Sequence, residues 1–471
     1  MCIRDSASAI SSAALRFCSA NSSATSISSS ASAISNHSET EGLLSGRLTQ
    51  SSLKNNFSDL HPPLNKHEAS VAADRCYFCY DAPCISACPT DIDIPLFIRQ
   101  IASDMPAASA KTILEQNILG GMCARVCPTE TLCEEACVRE KAEGKPVQIG
   151  LLQRYATDAV MDAGEHPFDR ALSTNKKIAV VGAGPAGLAA GHRLAMLGND
   201  VVIFDTKEKS GGLNEYGIAA YKSTNDFAQK EVAWLLKIGG IKIKHNHLLG
   251  RDFSLSGLSE EYDAIFLGVG LGDVRRLDID GEDLHNIQDA VEFISSLRQS
   301  NDLSNLEVGS NVVVIGGGMT AIDAAVQSKL LGAGDVTVVY RRSMEEMPAS
   351  KYEQELAKTK GVKFVYNAKP VQIIGNEKVT SIKFQKSENG SEFILPADHL
   401  LKAIGQIMDE LPTKLSIERD KIKVDKDFKT DLADIWAGGD CTCLGEDLTV
   451  TAVAQGRDAA INIHASLSGE K

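Results

Sequence analysis

The chain has 471 residues, of which 43% are hydrophobic and 23% are charged, a balance that is ordinary for a folded protein in water. Its formal net charge of −14 argues against nucleic acid or an anionic membrane surface as a partner. No apolar run approaches the roughly 20 residues that a membrane-spanning helix needs. We therefore expect a soluble protein of about three domains.

The amino-terminal segment is rich in serine and alanine. Residues 1–44 carry too little large apolar surface to fold, which predicts a disordered tail or a non-native start.

The next segment is marked by cysteine, because eight of the twelve cysteines lie between positions 76 and 137. Runs of this spacing, ending in a Cys-Pro step, are typical of iron–sulfur ligands, whereas structural zinc sites usually pair two short Cys-x-x-Cys knuckles. Their clustering in a long chain argues against a secreted disulfide scaffold and favours the reducing cytoplasm. We predict an α-helical iron–sulfur domain over residues 45–172, with helical patterns at Ile94–Ile101 and Lys111–Ile118. The two runs read Cys76-x2-Cys79-x4-Cys84-x3-Cys88-Pro89 and Cys123-x3-Cys127-Pro128-x4-Cys133-x3-Cys137.

A first dinucleotide-binding unit follows this domain. A strand over 177–181 leads into a Gly-x-Gly-x-x-Gly loop, a helix through Leu197 and a second strand that ends at Asp205. The glycines permit a tight turn, approach of the pyrophosphate and close helix packing, while the acid accepts hydrogen bonds from ribose hydroxyls. The predicted contacts of this unit are Gly182, Gly184, Pro185, Ala186, Gly187 and Asp205.

A second unit of the same kind begins at the strand 311–315. Its second strand ends in two arginines instead of an acid, which favours NADPH over NADH because guanidinium groups bind a 2′-phosphate. The alternative is that the arginine pair is only a solvated surface. The predicted nicotinamide contacts are Gly316, Gly317, Gly318, Met319, Thr320, Ala321, Arg341 and Arg342.

The carboxyl-terminal segment resembles the part of two-domain flavoproteins that returns to FAD. The strand 435–437 ends in Gly438-Gly439-Asp440, and a helix begins near Thr449. We expect Asp440 to bind the ribityl chain, and the positive end of the helix to stabilise negative charge on the reduced flavin. The alternative, without any cofactor role, is a Gly-Gly turn followed by an aspartate that caps a helix.

These patterns predict an α/β protein with two Rossmann-like dinucleotide-binding domains, for FAD and NAD(P)H, preceded by a small α-helical iron–sulfur domain. The FAD domain comprises residues 173–285 and 406–471, and the NAD(P)H domain comprises residues 286–405. The chain crosses back between them at Ala403, Ile404 and Gly405. The stretch 210–216 holds no cysteine pair, so we expect hydride to pass from NADPH to FAD and single electrons to leave through the clusters.

The stretch from Cys76 to Pro95 (CYFCYDAPCISACPTDIDIP) resembles the electron-input half of dihydropyrimidine dehydrogenase. In many bacteria that half is a separate subunit, paired with an FMN-containing subunit that reduces uracil and thymine. The resemblance implies FAD, a nicotinamide donor and two 4Fe–4S clusters. It also implies the ligands, which are Cys76, Cys79, Cys84 and Cys137 for one cluster, and Cys88, Cys127, Cys133 and Gln153 for the other. Spacing alone favours Cys123 as the eighth ligand.

The same resemblance implies further flavin contacts, and it has one visible departure. The loop 218–224 keeps Lys222 but lacks both prolines that relatives often carry, which leaves its geometry open. The additional predicted FAD contacts are Gly212, Leu213, Lys222, Gly439, Asp440 and Thr449.

Two other functions compete with pyrimidine reduction. The small subunit of glutamate synthase has the same plan of cofactors, but its second cysteine group is usually spaced more tightly than Cys127 and Cys133. A non-catalytic subunit that serves assembly is the other alternative. The sequence has no room for a substrate barrel of ~250 residues, so we expect a hetero-oligomer with an FMN-containing catalytic subunit, and neither nucleic acid nor a membrane as partner.

Overall fold

The computed structural model describes residues 42–412 and 414–469. All but the last three residues of the predicted 1–44 tail lie outside these ranges. The amino-terminal part of the described chain is helical, in keeping with the helix-length apolar patterns of its sequence. Its helices are α1 (Gln50–Asn56), α2 (Lys66–Ala73), α3 (Pro83–Ser86), α4 (Ile94–Ala102), α5 (Pro106–Gln116), α6 (Gly120–Val126), α7 (Val138–Glu143) and α8 (Ile149–Ala163).

Strands and helices then alternate, as the predicted glycine loops require. The first stretch contains β1 (Lys177–Val181), α9 (Pro185–Met196), β2 (Asp200–Phe204), α10 (Leu213–Tyr216), α11 (Phe227–Leu235), β3 (Ile241–Lys244), α12 (Leu255–Glu261), β4 (Ala264–Leu267) and β5 (Asp273–Val274).

The second stretch contains β6 (Ile287–Asp289), α13 (Ala290–Gln299), β7 (Asn311–Gly316), α14 (Met319–Leu330), β8 (Asp335–Val339), α15 (Lys351–Thr359), β9 (Lys363–Val365), β10 (Ala368–Gly375), β11 (Val379–Lys386), β12 (Glu392–Pro396) and β13 (His399–Ala403). The terminal stretch adds β14 (Gln406–Ile407), β15 (Ile417–Glu418), β16 (Lys421–Ile422), β17 (Ile435–Ala437) and α16 (Thr449–Ser468).

The strands build two five-stranded parallel sheets, one for each glycine loop. The first has the order β17-β4-β1-β2-β3 and the second the order β6-β13-β7-β8-β9. Strand β17 pairs with β4 in parallel, so the terminal segment completes the first sheet. The predicted fold class is confirmed.

The sequence of the central strands explains their burial. Ile178, Ala179 and Val180 of β1 are completely buried, as expected of a parallel strand that is covered on both faces. In the second sheet, Val312, Val313 and Val314 of β7 are buried in the same way. Because both loops follow such strands, each glycine loop lies at the carboxyl edge of its sheet, where ligands of open α/β sheets bind.

The segment before the cysteines does not join the helical domain at residue 45. The backbone of Leu44 pairs with Val308, and Arg47 Nε donates to the Val308 carbonyl at 3.0 Å. Leu53 of α1 is buried in the core of the second nucleotide domain. Residues 44–53 therefore pack on the domain of the second glycine loop, because their few apolar side chains fill its surface, and the helical domain starts later than predicted.

Among the described helices, none combines the length and the apolar character that crossing a membrane requires.

A buried histidine pair gives the fold a dependence on pH. His192 of α9 is 3% exposed, and its Nε2 lies 3.2 Å from Nε2 of His166. Burial, with smaller contributions from His166 and Arg193, lowers the pKa of His192 from 6.5 to about 3.

The unfolded chain therefore binds this proton at a higher pH than the folded chain does, and the folded state loses stability as the pH falls from about 6.5 towards 3. We expect the free energy of unfolding to fall more steeply across this window in the wild type than in His192→Gln. Urea denaturation at several pH values measures both slopes, and equal slopes would contradict the assignment.

Candidate functional site

Four of the predicted ligands surround one cavity in the helical domain. Cys76, Cys79, Cys84 and Cys137 line it together with apolar side chains of α4 and α8. Burial raises the pKa of Cys84 to about 12, and the neighbouring thiols Cys137 and Cys76 add to the rise. The residues fit a cluster because four thiols line one cavity, and a bound cluster would take them as thiolates and displace their protons.

A second group of thiols also has raised pKa values. Cys133 is buried, and burial, Glu134 and Cys88 raise its pKa. Cys127 has its pKa raised first by a hydrogen bond with Cys123, then by burial and by the neighbouring Cys133 and Cys88. The structure thus brings Cys88, Cys127 and Cys133 together, but it adds Cys123 to the group.

Gln153 and Cys123 remain the two candidates for the eighth ligand. Gln153 of α8 is 8% exposed, and its Nε2 donates to the Gly120 carbonyl at 2.7 Å, an arrangement that fixes the side chain at the α6–α8 contact. Cys123 is 1% exposed, and its carbonyl accepts the Cys127 N–H at 2.9 Å. No three His, Cys, Asp or Glu side chains of the described ranges have the arrangement of a metal ion site.

The first glycine loop has the geometry that a dinucleotide needs. Gly182 has φ +104°, and a Cβ there would lie 2.2 Å from the Gly268 carbonyl oxygen. A Cβ on Gly187 would lie 1.9 Å from the carbonyl oxygen of Gly182, whereas one on Gly184 would meet only the Gly212 Cα, at 3.8 Å. Helix α9 has Pro185 in its first turn and no side-chain cap, so its free N–H groups face the open side of the loop, where a pyrophosphate binds.

Three chain segments converge on this loop. A Cβ on Gly212 would lie 2.8 Å from the Gly184 Cα, and one on Gly439 would lie 2.9 Å from the Ala186 Cβ. Asp205 links the glycine loop to the end of β2, because its two carboxylate oxygens accept the Ala183 and Lys207 N–H groups at 2.6 and 2.7 Å. Each oxygen keeps a second lone pair for a ribose hydroxyl.

The terminal segment supplies a carboxyl group and a hydroxyl group at the same edge. Burial raises the pKa of Asp440 to about 6. Thr449 begins α16, and its Oγ1 donates to Oδ1 of Asn214 at 2.9 Å. Because Asn214 follows Leu213 in α10, this bond joins the start of α16 to the predicted flavin loop.

Lys222 lies at the contact between the two nucleotide domains. Its Nζ is 2.8 Å from Asp323 Oδ1 of α14 and 2.7 Å from Glu353 Oε1 of α15, and all three side chains are at most 8% exposed. Burial opposes the charge on Lys222, but the two carboxylates outweigh it and raise its pKa. The ammonium that was predicted to line the FAD is thus held by acids of the other domain.

Around this ion triad, defined as Lys222, Asp323 and Glu353, buried polar atoms lack partners. Ser223 Oγ, Gln327 Nε2 and Glu353 Oε2 have no hydrogen bond within the described chain. Buried polar atoms are normally paired, so these three atoms are exceptions at the contact between the two nucleotide domains.

The second glycine loop repeats the features of the first. A Cβ on Gly316 would lie 2.1 Å from the carbonyl oxygen of Ala403, and one on Gly317 would lie 2.4 Å from the Tyr340 ring. Gly318 has nothing within 4 Å of its Cβ position, and α14 starts after it without a side-chain cap. Met319, Thr320 and Ala321 form the first turn of that helix, and Ile404 and Gly405 follow the strand that Gly316 touches.

Arg341 and Arg342 follow β8 and are exposed. Their backbone carbonyls accept hydrogen bonds from Ser387 Oγ and the Asn367 N–H, but neither guanidinium group has an ion pair or hydrogen bond to the described residues. Both cations are available to an incoming anion.

The sequence did not predict the two acids that bind Lys222, because these contacts form only in the folded chain. Asp323 and Glu353 carry no motif of their own, although Asp323 lies on the glycine-loop helix.

Comparisons with known proteins agree with these features. A family model for pyridine nucleotide-disulphide oxidoreductases matches residues 176–456, and one for domain II of dihydropyrimidine dehydrogenase, a 4Fe–4S cluster domain, matches residues 53–165. The FprA oxidoreductase of Mycobacterium tuberculosis (TM-score 0.54, 20% identity, 63% of this chain and 86% of that one) and the thioredoxin reductase of Lactococcus lactis (0.51, 19%, 63% and 100%) share the fold.

Two curated relatives extend over nearly the whole length. The NAD-dependent dihydropyrimidine dehydrogenase subunit PreT of Salmonella typhimurium is 35% identical over 412 residues, 87% of this chain and 97% of that one. The glutamate synthase [NADPH] small chain of Escherichia coli is 34% identical over 444 residues, 86% of this chain and 93% of that one. The chain therefore belongs to the pyridine nucleotide-disulphide oxidoreductase family and carries, ahead of that module, the 4Fe–4S domain known as domain II of dihydropyrimidine dehydrogenase.

Proposed function

We propose that this chain is the electron-input subunit of a dihydropyrimidine dehydrogenase, which takes electrons from NADPH and delivers them to an FMN-containing partner that reduces uracil and thymine. FAD, when bound, accepts hydride from the nicotinamide and releases electrons singly to two 4Fe–4S clusters. The observation that carries the proposal is that one chain holds two groups of four cysteines and two dinucleotide loops. Residues 210–216 contain no cysteine pair, so no redox-active disulfide is available there to take electrons from the flavin.

The order of the two clusters follows from what surrounds the thiols. Arg457 of α16 donates to the Thr90 carbonyl at 2.8 Å, and Thr90 Oγ1 is 3.2 Å from Cys88 Sγ, so the second thiol group lies against the flavin module. Around the first group, Tyr77 is 55% and Tyr80 98% exposed. A cluster held by Cys88, Cys127, Cys133 and Gln153 would therefore lie nearer the flavin module, and one held by Cys76, Cys79, Cys84 and Cys137 would lie nearer the exposed tyrosines.

The chain's own residues bind and orient the two nucleotides. The free N–H groups at the start of α9 and α14 receive the phosphates, and Asp205 receives the ribose. Lys222 connects the flavin loop to the nicotinamide domain through its ion pairs with Asp323 and Glu353. That connection would hold the two nucleotide sites at a set separation, and hydride transfer would depend on such positioning.

The arginine pair favours NADPH, whereas the PreT relatives are named NAD-dependent. We expect the double variant Arg341→Ala, Arg342→Ala to lower kcat/KM for NADPH roughly 10- to 100-fold, since charge-assisted hydrogen bonds contribute about 1.5–3 kcal/mol. The value for NADH should change by no more than about 2- to 3-fold, because NADH has no 2′-phosphate for the two guanidinium groups to bind. Stopped-flow flavin reduction measures both, and equal losses for the two nucleotides would contradict NADPH preference.

The glutamate synthase small chain remains the second candidate because of its similar identity and coverage. The anaerobic protein should be mixed with a dihydropyrimidine dehydrogenase FMN subunit or with a glutamate synthase large subunit, together with NADPH. Loss of uracil without formation of glutamate is expected. Glutamate formation alone would overturn the proposal in favour of the second candidate, and co-purification from the cytoplasm identifies the native partner.

A further inference from the structure

We propose that the hydroxyl group of Thr90 donates a hydrogen bond to the Cys88 sulfur and raises the reduction potential of the second iron–sulfur cluster, and that Arg457 positions Thr90 for this role. The inference rests on the proposed function, because it requires a cluster at Cys88, Cys127 and Cys133. It concerns two residues that ligate no iron and belong to neither dinucleotide loop.

Thr90 is in direct contact with a proposed ligand. Its Oγ1 lies 3.2 Å from Cys88 Sγ, and the residue is 0% exposed, so bulk water does not compete for the hydroxyl. The sulfur is the only hydrogen-bond partner of this hydroxyl among the described residues. A cysteine that ligates iron is a thiolate and has no proton to give, so the hydroxyl is the donor of this pair in the holoprotein.

A turn of the chain brings the hydroxyl to the sulfur. The Asp91 N–H donates to the Cys88 carbonyl at 2.9 Å, which closes a turn with Pro89 and Thr90 at its two central positions. Proline favours the first of these positions, because its ring already fixes the φ that the turn needs. The sequence Cys88-Pro89-Thr90-Asp91 therefore encodes the contact locally.

Arg457 attaches this turn to the flavin module. It lies in α16, is 9% exposed, and its Nη1 donates to the Thr90 carbonyl at 2.8 Å. The same nitrogen lies 2.9 Å from the Gln116 carbonyl oxygen and 2.7 Å from Gln116 Oε1, so one guanidinium group links the cysteine turn to the end of α5. Fixing the Thr90 backbone also restricts its hydroxyl, because threonine has a stiff χ1.

A hydrogen bond to a ligating sulfur affects the two oxidation states of a cluster unequally. Reduction adds one electron to the cluster, while the proton of the hydrogen bond stays on Thr90. The donor therefore stabilises the more negative, reduced state preferentially and raises the potential, which is one of the means by which proteins set cluster potentials. A higher potential makes the cluster nearer the flavin module a better acceptor of electrons from the reduced flavin.

The test compares the wild-type holoprotein with Thr90→Val and Thr90→Ala, which remove the hydroxyl, and with Thr90→Ser, which keeps it. Each protein is titrated electrochemically without oxygen, with the clusters followed by electron paramagnetic resonance and the flavin by absorbance. We expect one cluster potential to fall in the valine and alanine variants, by about 59 mV for a tenfold change in a one-electron equilibrium. The other cluster and the flavin should keep their potentials, and Thr90→Ser should match the wild type.

Arg457→Lys tests the positioning role, because it keeps the positive charge and removes the planar fork of donors. It should lower the same cluster potential as Thr90→Val does. The double variant should lower that potential no further than Thr90→Val alone, since the effects of residues that act through one another do not add. Additive shifts would overturn the role given to Arg457.

Thr430→Val is the matched control, since Thr430 is 8% exposed and its hydroxyl donates to the Ile435 carbonyl at 2.9 Å. It should lower stability without moving either cluster potential. Cluster potentials that stay unchanged in Thr90→Val and Thr90→Ala, or that fall equally in Thr90→Ser, would overturn the inference. Absence of cluster signals in the wild type would instead reject the proposed function.

Discussion

Replacing Lys222 by methionine is expected to lower the free energy of unfolding by about 3–5 kcal/mol. The change removes the ammonium that lies 2.8 Å from Asp323 and 2.7 Å from Glu353, and it leaves two buried carboxylates without a counter-ion. Because the triad joins the flavin loop to the nicotinamide domain, flavin reduction by NADPH should slow as well. Urea denaturation measures the first effect and stopped-flow absorbance the second.

Two variants make this prediction specific. Lys363→Met breaks an ion pair with Asp335 in which both side chains are about 60% exposed, and it should cost at most about 1 kcal/mol. Adding Asp323→Asn and Glu353→Gln to Lys222→Met removes the unpaired charges and should restore part of the loss. A cost for Lys222→Met no larger than that for Lys363→Met would refute the role given to the triad.

Replacing Gly187 by alanine is expected to destabilise the FAD domain by about 3 kcal/mol or more, at the upper end of the overpacking range. The added Cβ would lie 1.9 Å from the Gly182 carbonyl oxygen, which is backbone and cannot turn aside. The loop has to open, so the variant should purify with little or no FAD. Flavin released on denaturation, measured per mole of protein, gives the result.

Gly318→Ala is the matched control in the second loop. Its Cβ position has nothing within 4 Å and its φ is −84°, so folding and FAD content should be unaffected. If Gly187→Ala bound FAD as fully as Gly318→Ala does, the first loop would not be the flavin site.

The dinucleotide domains were predictable because their signals are local. The strand 177–181 and the strand 435–437 appear at the predicted positions, since short runs of buried apolar residues followed by glycine leave few alternatives. The grouping of Cys76, Cys79, Cys84 and Cys137 around one cavity differs, because the family resemblance implied it and cysteine spacing alone did not.

What the sequence could not predict depends on residues far apart in the chain. The bonds of Lys222 to acids 101 and 131 positions later arise only when the two nucleotide domains meet. The attachment of Leu44 and Leu53 to the second domain is of the same kind, because a few isolated leucines in a polar stretch do not specify which surface they cover.

The central claim is that reducing equivalents from a nicotinamide enter at FAD and leave through sulfur-ligated iron. Its most direct test is an anaerobic titration of the purified protein with NADPH, followed by visible absorbance, with iron and acid-labile sulfide determined on the same sample. We predict equal amounts of iron and sulfide, and bleaching of both the flavin and the broad cluster absorbance. A protein that contains flavin but no labile sulfide, or whose cluster absorbance persists after the flavin is fully reduced, would contradict the account.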